Sequence, residues 1–475
     1  MLLAMLACAV ESPELRGESP DVILIALDTV RWDHTSLSDA PHDTTPTLRR
    51  LAALPGAVTF TRAYTAASWS LAAYASLFTG LDALTHGLGF TQQKLSPSQP
   101  TLAEVLSTYG YQTAAFASGP HLDQANGFSR GFDTWRHEKS FSPLTPQIEP
   151  ALAWLESARQ QPAPYFLFVQ GYDAHPPYTA PAVFSEMFSL EYDGDLHLGR
   201  GQMRTKECRV VNTRACTPSI SALQRLRGED VDLTLEHDHI NTHYDSALRA
   251  GDYNLGRLLH GIEQHGALDE AIIVVLSDHG KSFAEGRYSD ETARSEQLFH
   301  VPLVIRRPST APAARWDGVV SLVDVLPTLL DELEMVAPAH ASGQSLRSVL
   351  DDPTQPVVDD RAVPSAELCC YAVQSEQWEL IGDRRLTGGV WTPASDDTPV
   401  FGPTQWRLYR HGSRAEVSAE YPEVVASLRD AIAHWPDQLV ADPDNINGAA
   451  GQDEELRKSL RQHGYWAPTP GEATP

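Results

Sequence analysis

Four residues spread along most of the chain could together do ester chemistry: Asp28, Ser70, Asp278 and His279. Two carboxylates, an imidazole and a hydroxyl make a four-ligand set for a divalent cation. Such a cation would hold the Ser70 hydroxyl as an alkoxide at neutral pH and polarise an oxygen of a substrate ester. Taken one at a time they say less. Ser70 alone reads as a helix N-cap, Asp28 as a strand-end cap, and Asp278-His279-Gly280 as a turn. The set has chemical meaning only if the chain brings its members to one place.

The elements that must do so are legible. Asp21 to Leu27 is an unbroken apolar run, the pattern of a strand buried on both faces of a parallel sheet. Asp28-Thr29 follows it, where open α/β sheets place their ligands. Ala271 to Leu276 is the clearest strand and ends in Ser277-Asp278-His279-Gly280-Lys281. Leu71 to Phe78 is rich in Ala and Leu and predicts a helix stopped by Gly80. Ser70 then stands at its N-terminus, where unpaired N–H groups favour an anion. Further strands are expected at 111–116, at 165–169 (leading to Asp173 and His175) and from His300, with helices at 45–52, 101–106, 150–159 and 244–265 and from Ser321.

Strands alternating with helices predict a three-layer αβα domain. Short alternating runs after residue 363 predict a small antiparallel sheet, with a helix at 421–435. The expected organisation is an N-terminal segment 1–20, a main α/β domain 21–362 with a polar insertion 184–239, a C-terminal α+β subdomain 363–465, and a disordered Pro/Gly/Thr-rich tail 466–475.

The chain has 475 residues, 36 basic against 62 acidic, for a formal charge of -26. That balance disfavours nucleic acid and anionic membrane surfaces as partners. An anionic substrate would need a bound metal or a local basic cluster to attract it. Cys208 and Cys216 could close a small disulfide loop, and the absence of any CxxC pair speaks against a structural zinc site. The opening MLLAMLACAVES resembles the end of a bacterial lipoprotein signal, with Cys8 as the lipid-carrying residue, although it is short and lacks a basic start. That reading implies an exported, periplasmic or membrane-anchored protein. No later run approaches the ~20 apolar residues of a spanning helix.

In order, the segments VILIALDTVRWDH, TPTLRRLA, SWSLAAYASLFTG, TLAEVLSTYGYQTAAF, GFSRGFDTW, DAHPPY, YDSALRAGDYNLGRLL, IVVLSDHG and HVPLVIRRP resemble the sulfatase family of the alkaline phosphatase superfamily. The resemblance implies the alkaline phosphatase-like fold with a smaller C-terminal subdomain. It implies a metal site at Asp28, Ser70, Asp278 and His279, with Ser70 as nucleophile. It places His175 against the substrate's anionic oxygens, and Lys281 and His300 as further site residues. One divalent ion is implied, calcium first, with magnesium, manganese or zinc as alternatives. A second metal would have to draw on Asp173, His175 and His300.

Three departures from the family pattern stand out. Ser70-Leu71-Ala72-Ala73-Tyr74 stands for Cys-x-Pro-x-Arg (or Ser-x-Pro/Ala-x-Arg), whose first residue is converted to formylglycine, with Tyr74 where the arginine belongs; the paired aspartates after the first strand are reduced to Asp28-Thr29; and Ala117-Ser118-Gly119 replaces the Gly-Lys-Trp-His segment. The expected activity is therefore metal-dependent hydrolysis of sulfuric or phosphoric esters through Ser70. The rivals are a phospho-headgroup transferase and an inactive binding protein with the same fold.

Overall fold

The computed structural model describes residues 19–433 apart from 90–93, 177, 189–190, 195–196, 200–201, 205–233, 284–295, 340, 358–360, 368–369, 384–404 and 414. In chain order the main body comprises β1 (Val22–Leu27), α1 (Pro46–Ala52), β2 (Ala57–Tyr64), α2 (Ser70–Thr79), α3 (Ala83–His86), α4 (Leu102–Thr108), β3 (Gln112–Ser118), β4 (Thr134–Glu138), α5 (Thr145–Ala158), β5 (Tyr165–Gly171) and α6 (Ala182–Ser185). A hairpin pair, β6 (His197–Gly199) and β7 (Gln202–Arg204), precedes α7 (Thr234–Gln264), β8 (Ile272–Ser277), β9 (His300–Arg306), β10 (Ala314–Ser321), α8 (Val325–Glu332) and α9 (Arg347–Asp351). A second sheet of β11 (Val363–Ala366), β12 (Cys370–Gln374), β13 (Trp378–Asp383) and β14 (Gln405–Arg410) is followed by α10 (Pro422–Asp430). Cys8, the Cys208–Cys216 pair, most of the polar insertion and the tail lie outside the described residues.

The main sheet has eight strands in the order β10-β2-β9-β8-β1-β5-β3-β4. β1 runs parallel to both β5 and β8, with Leu27 opposite Gly171 on one side and Ser277 on the other. Three strands therefore end at one level, and the residues after them share one edge of the sheet. β9 is antiparallel to β2 and β8, so the sheet is mixed rather than wholly parallel.

The unbroken apolar character of β1 follows from burial on two faces. Val22, Leu24 and Ala26 pack into a core with Tyr74 and Phe78 of α2, Leu102 of α4 and Leu329 of α8. Ile23, Ile25 and Leu27 pack on the opposite face with Leu48 of α1, Leu155 of α5 and Leu248 of α7. This is the expected three-layer αβα arrangement. α2 also has a third neighbour: Ala72 and Ala73 pack against Tyr371, Val373 and Leu380 of the second sheet. Small side chains there let the two sheets approach the helix from both sides.

Candidate functional site

Ser70 is the first residue of α2, and Trp69 rather than Ser70 is the N-cap. The Ser70 side chain does not cap the helix. Its Oγ lies 3.0 Å from Asp28 Oδ1 and 3.3 Å from His279 Nε2, and all three residues are buried. The hydroxyl has one proton, and two acceptors compete for it. α2 is held at its other end by Gly80, whose left-handed backbone (φ 67°) lets its N–H reach the Ser76 carbonyl at 2.8 Å.

Asp28 and Asp278 leave the ends of β1 and β8 side by side. Asp278 Oδ1 accepts from the Thr29 N–H at 3.2 Å and its neighbour His279 N–H at 2.9 Å. Asp28 Oδ2 and Asp278 Oδ2 are buried and accept no hydrogen bond from the described residues. Burial, and then the Asp278 charge, push the Asp28 carboxyl well above the usual carboxylate range. Two buried carboxylates with unsatisfied oxygens are the arrangement a cation relieves.

His279 completes the set. Its Nδ1–H donates to the Gly280 carbonyl at 2.7 Å, so Nε2 carries the lone pair and faces Ser70. Burial lowers its pKa and keeps the ring neutral, as a metal ligand must be. Ligand atoms of Asp28, Asp278 and His279 all lie within 4.8 Å of one another, and no other such group occurs among the described residues. An oxygen-rich donor set with one imidazole therefore fits a single divalent ion.

The backbone that presents Asp28 is strained. Thr29 is β-branched yet has φ 59°, which costs on the order of 1–3 kcal/mol. It is pinned from several sides: Tyr244 Oη donates to the Thr29 carbonyl at 2.7 Å and accepts from the Arg31 N–H at 2.9 Å, while the Val30 N–H donates to Ser277 Oγ at 2.8 Å. Tyr244, from the middle of α7, thereby fixes where β1 releases Asp28. Across the site, Gly280 lies against the Gln297 carbonyl so closely that a Cβ would stand 1.9 Å from it, which requires glycine there.

The remaining nominated residues divide. Lys281 faces the carboxylates: its charge is felt by Asp28, and its own neighbours are Asp28 and Glu367, with burial lowering its pKa. His175 lies after β5 on the same sheet edge. Its Nδ1–H donates to the Pro176 carbonyl at 2.9 Å, and its ring stacks on Phe141 with centroids 4.4 Å apart. The structure does not bring His300 to the cluster. Its Nε2–H donates to the Thr61 carbonyl at 2.8 Å, its ring is stacked between Trp32 and Tyr64, and burial holds its pKa to about 4. Asp173 is not available for a second metal either: Asn254 donates to one of its oxygens and the Leu144 N–H to the other, both at 2.8 Å. It is a latch between β5, α5 and α7.

Sequence reasoning missed three residues near this site. His121 stands where the Gly-Lys-Trp-His segment looked absent, buried beside α2 with its ring edge-on to Trp69 at 6.3 Å; reading Ser118-Gly119-Pro120-His121 in that register would have found it. Tyr244 gave no signal, because an apolar-face tyrosine on a helix reads as core. Glu367 arrives from the second sheet. Ala366 N–H donates to the Ala66 carbonyl at 2.9 Å and Ser365 Oγ to the Thr65 carbonyl at 2.6 Å, which docks β11 just before the Ser70 segment.

Comparisons with known proteins agree with this fold. The family model described as Sulfatase matches residues 20–335. Arylsulfatase K of Mus musculus is 22% identical over 504 residues, covering 97% of this chain and 82% of the relative. Among solved structures, the phosphonate monoester hydrolase of Agrobacterium radiobacter superposes with a TM-score of 0.62 at 19% identity, covering 89% of this chain and 96% of the other. A protein solved with its substrate D-glucosamine-2-N,6-O-disulfate superposes with a TM-score of 0.60 at 18% identity, covering 90% and 99%. Among the described residues no helix is long and apolar enough to cross a membrane.

Proposed function

The chain belongs to the sulfatase family and is a sulfatase-like ester hydrolase, and on that premise we propose that it cleaves anionic sulfuric, or alternatively phosphoric, esters with unmodified Ser70 as nucleophile. The observation that carries this reading is the contact of Ser70 Oγ with both Asp28 and His279, beside two carboxylate oxygens that accept no hydrogen bond from the described residues. Asp28, Asp278, His279 and Ser70 would hold one divalent ion, calcium first, which supplies charge neutralisation and a lowered Ser70 pKa. Asp28 Oδ1 orients the hydroxyl and receives its proton; His279, locked as the Nδ1–H tautomer, keeps Nε2 on the same oxygen. Lys281 balances negative charge on the transferred group, and His175 contacts its oxygens or the leaving group. His300 serves packing between Trp32 and Tyr64.

The unsatisfied carboxylate pair weighs against a non-catalytic relative, because a protein that kept only the fold would gain by losing it. Cys8 as a lipid site and an exported location rest on Leu6-Ala7-Cys8 alone. The test is turnover of 4-nitrophenyl sulfate and 4-nitrophenyl phenylphosphonate before and after chelation, with calcium, magnesium, manganese and zinc restored one at a time. Recovery with one ion supports the reading; full activity in chelator sinks its metal dependence. The mass of the peptide containing residue 70 separates serine from formylglycine, which is lighter by about 2 Da.

A further inference from the structure

The turn that Thr29 forms touches both candidate carboxylate ligands. Its φ of 59° follows directly on Asp28, and its own N–H donates to Asp278 Oδ1 at 3.2 Å. If Thr29 relaxed to the negative φ that a β-branched residue prefers, the Asp28 carboxylate would swing and the donor to Asp278 would withdraw with it. Two pins on this turn come from the end of β8: Asp278 itself, and Ser277, whose Oγ accepts from the Val30 N–H at 2.8 Å. Tyr244 is a pin from outside the sheet. Its Oη bridges the turn, donating to the Thr29 carbonyl at 2.7 Å and accepting from the Arg31 N–H at 2.9 Å.

Tyr244 is itself held fast. It is fully buried, and three rings stand edge-on to it, with centroids at 5.1 Å for His34, 5.5 Å for Tyr178 and 4.9 Å for Phe283. The next residue of α7, Asp245, places one carboxylate oxygen 2.6 Å from His34 Nδ1 and the other 2.6 Å from His42 Nδ1. Two turns further on, Asp252 accepts from the Thr47 and Leu48 N–H groups at 2.8 and 3.0 Å. α7 thus grips the stretch from Thr29 to Leu48 at successive points. Asp245 and Asp252 hold its outer part, and the Tyr244 hydroxyl reaches the turn after Asp28.

Resting on the one-ion reading of the site, we propose that Tyr244 is a positioning residue for the cation: its hydroxyl holds Thr29 in the left-handed conformation that sets Asp28 beside Asp278. It acts through Thr29 and touches neither ion nor substrate. Tyr244→Phe keeps the ring packing and removes both hydrogen bonds. The turn then relaxes, and ion binding has to restore the strained Thr29 before both carboxylates are in place.

The test is calorimetric binding of calcium, magnesium, manganese and zinc, one at a time, to the wild type, Tyr244→Phe, Thr29→Gly, the two combined, and Asp252→Ala. Tyr244→Phe should bind the preferred ion about 10–100-fold more weakly than the wild type. The combined variant should bind within about threefold of Thr29→Gly alone, because glycine takes a positive φ without penalty. Asp252→Ala strands two N–H groups on the same helix; it should unfold at lower urea yet bind the ion within about threefold of the wild type. A metal-free measurement accompanies these. In chelator, the Val30 amide, whose acceptor Ser277 is untouched by the substitution, should exchange its hydrogen at least about tenfold faster in Tyr244→Phe than in the wild type. Ion binding by Tyr244→Phe within about threefold of the wild type, or a weakening that Thr29→Gly does not relieve, overturns the proposal and leaves the ion reading intact. If Tyr244→Phe does not fold, the combined variant decides, and an affinity about tenfold or more below that of Thr29→Gly overturns the proposal. A wild type that binds none of the four ions sinks the one-ion reading instead, and the Val30 amide then decides whether Tyr244 holds the turn.

Discussion

Replacing Asp278 by Asn should make the protein more stable without metal and less stable with it. The candidate ligand atoms of Asp28 and Asp278 lie within 4.8 Å of each other. Two unit charges at that distance repel by about 3.5 kcal/mol or more at an effective dielectric of about 20. Asp28 relieves part of this by holding a proton above the usual carboxylate range. The gain on removing the Asp278 charge should therefore be about 1–2 kcal/mol in chelator. Asn keeps an oxygen to accept from the Thr29 and His279 N–H groups, so the local backbone need not move. Metal binding reverses the order: an ion at 100 times its Kd stabilises the wild type by about 2.7 kcal/mol, and the variant forfeits most of that. Urea unfolding of both proteins at pH near 7.5, in chelator and across a calcium titration, measures both limbs. Wild type the more stable of the two in chelator, with equal responses to every ion, would refute the cation-site reasoning.

Other consequences can be checked separately. Asp173→Ala strands the Leu144 N–H and the Asn254 amide and should cost about 2–4 kcal/mol in denaturant unfolding with no change in calcium response. His86 is fully buried in α3, makes hydrogen-bond contacts with Ser76 and the Ala72 carbonyl, and burial holds its pKa to about 4. Its folded pKa lies below its unfolded value of about 6.5, so the unfolded chain takes up the proton first and stability falls as pH drops through 6.5 toward 4. The loss from His86 alone should reach about 2 kcal/mol by pH 5, and a His86→Gln variant should show a correspondingly shallower pH profile in urea unfolding. Gly119→Ala places a Cβ about 2.3 Å from the Tyr172 ring at φ 83°, and it should lower thermal stability by more than about 2 kcal/mol.

How much of this was legible depends on how completely each element is buried. β1, β5 and β8 are buried along their whole length, and each reads as an apolar run. β4 has no buried residue and sits at a sheet edge, so Thr134 to Glu138 carries no strand signal. β10 is buried only in its second half; the helix expected from Ser321 is there, with Ser321 capping a short 3-10 turn, Leu322–Asp324, that runs straight into α8. β2 was missed because Thr59, Thr61 and Arg62 break its apolar run. α5 starts at Thr145 and not at Pro150: Pro146 suits its first turn, and the packed helix carries Pro150 in its interior despite the lost N–H. α7 starts at Thr234, ten residues before the expected Tyr244, because its first turns are polar and resemble the insertion they leave. In the site, Asp28, Ser70, Asp278 and His279 were legible because strand ends and a helix start announce them. His300 misled because its strand is real, yet its ring is turned into Trp32 and Tyr64. Tyr244 and Glu367 were illegible because their roles depend on which distant segments pack together.

In the proposed reaction the Ser70 oxygen attacks the ester. Peptide mass mapping of the metal-loaded enzyme, quenched in acid during turnover of 4-nitrophenyl sulfate or a phosphorus ester, tests it most directly. The expected result is a covalent adduct on Ser70 itself, about 80 Da for the sulfo group of 4-nitrophenyl sulfate or about 140 Da for the phenylphosphonyl group of 4-nitrophenyl phenylphosphonate, present in the wild type and lost with turnover in Ser70→Ala. Unmodified Ser70 throughout, with Ser70→Ala turning over substrate as fast as the wild type, would contradict it.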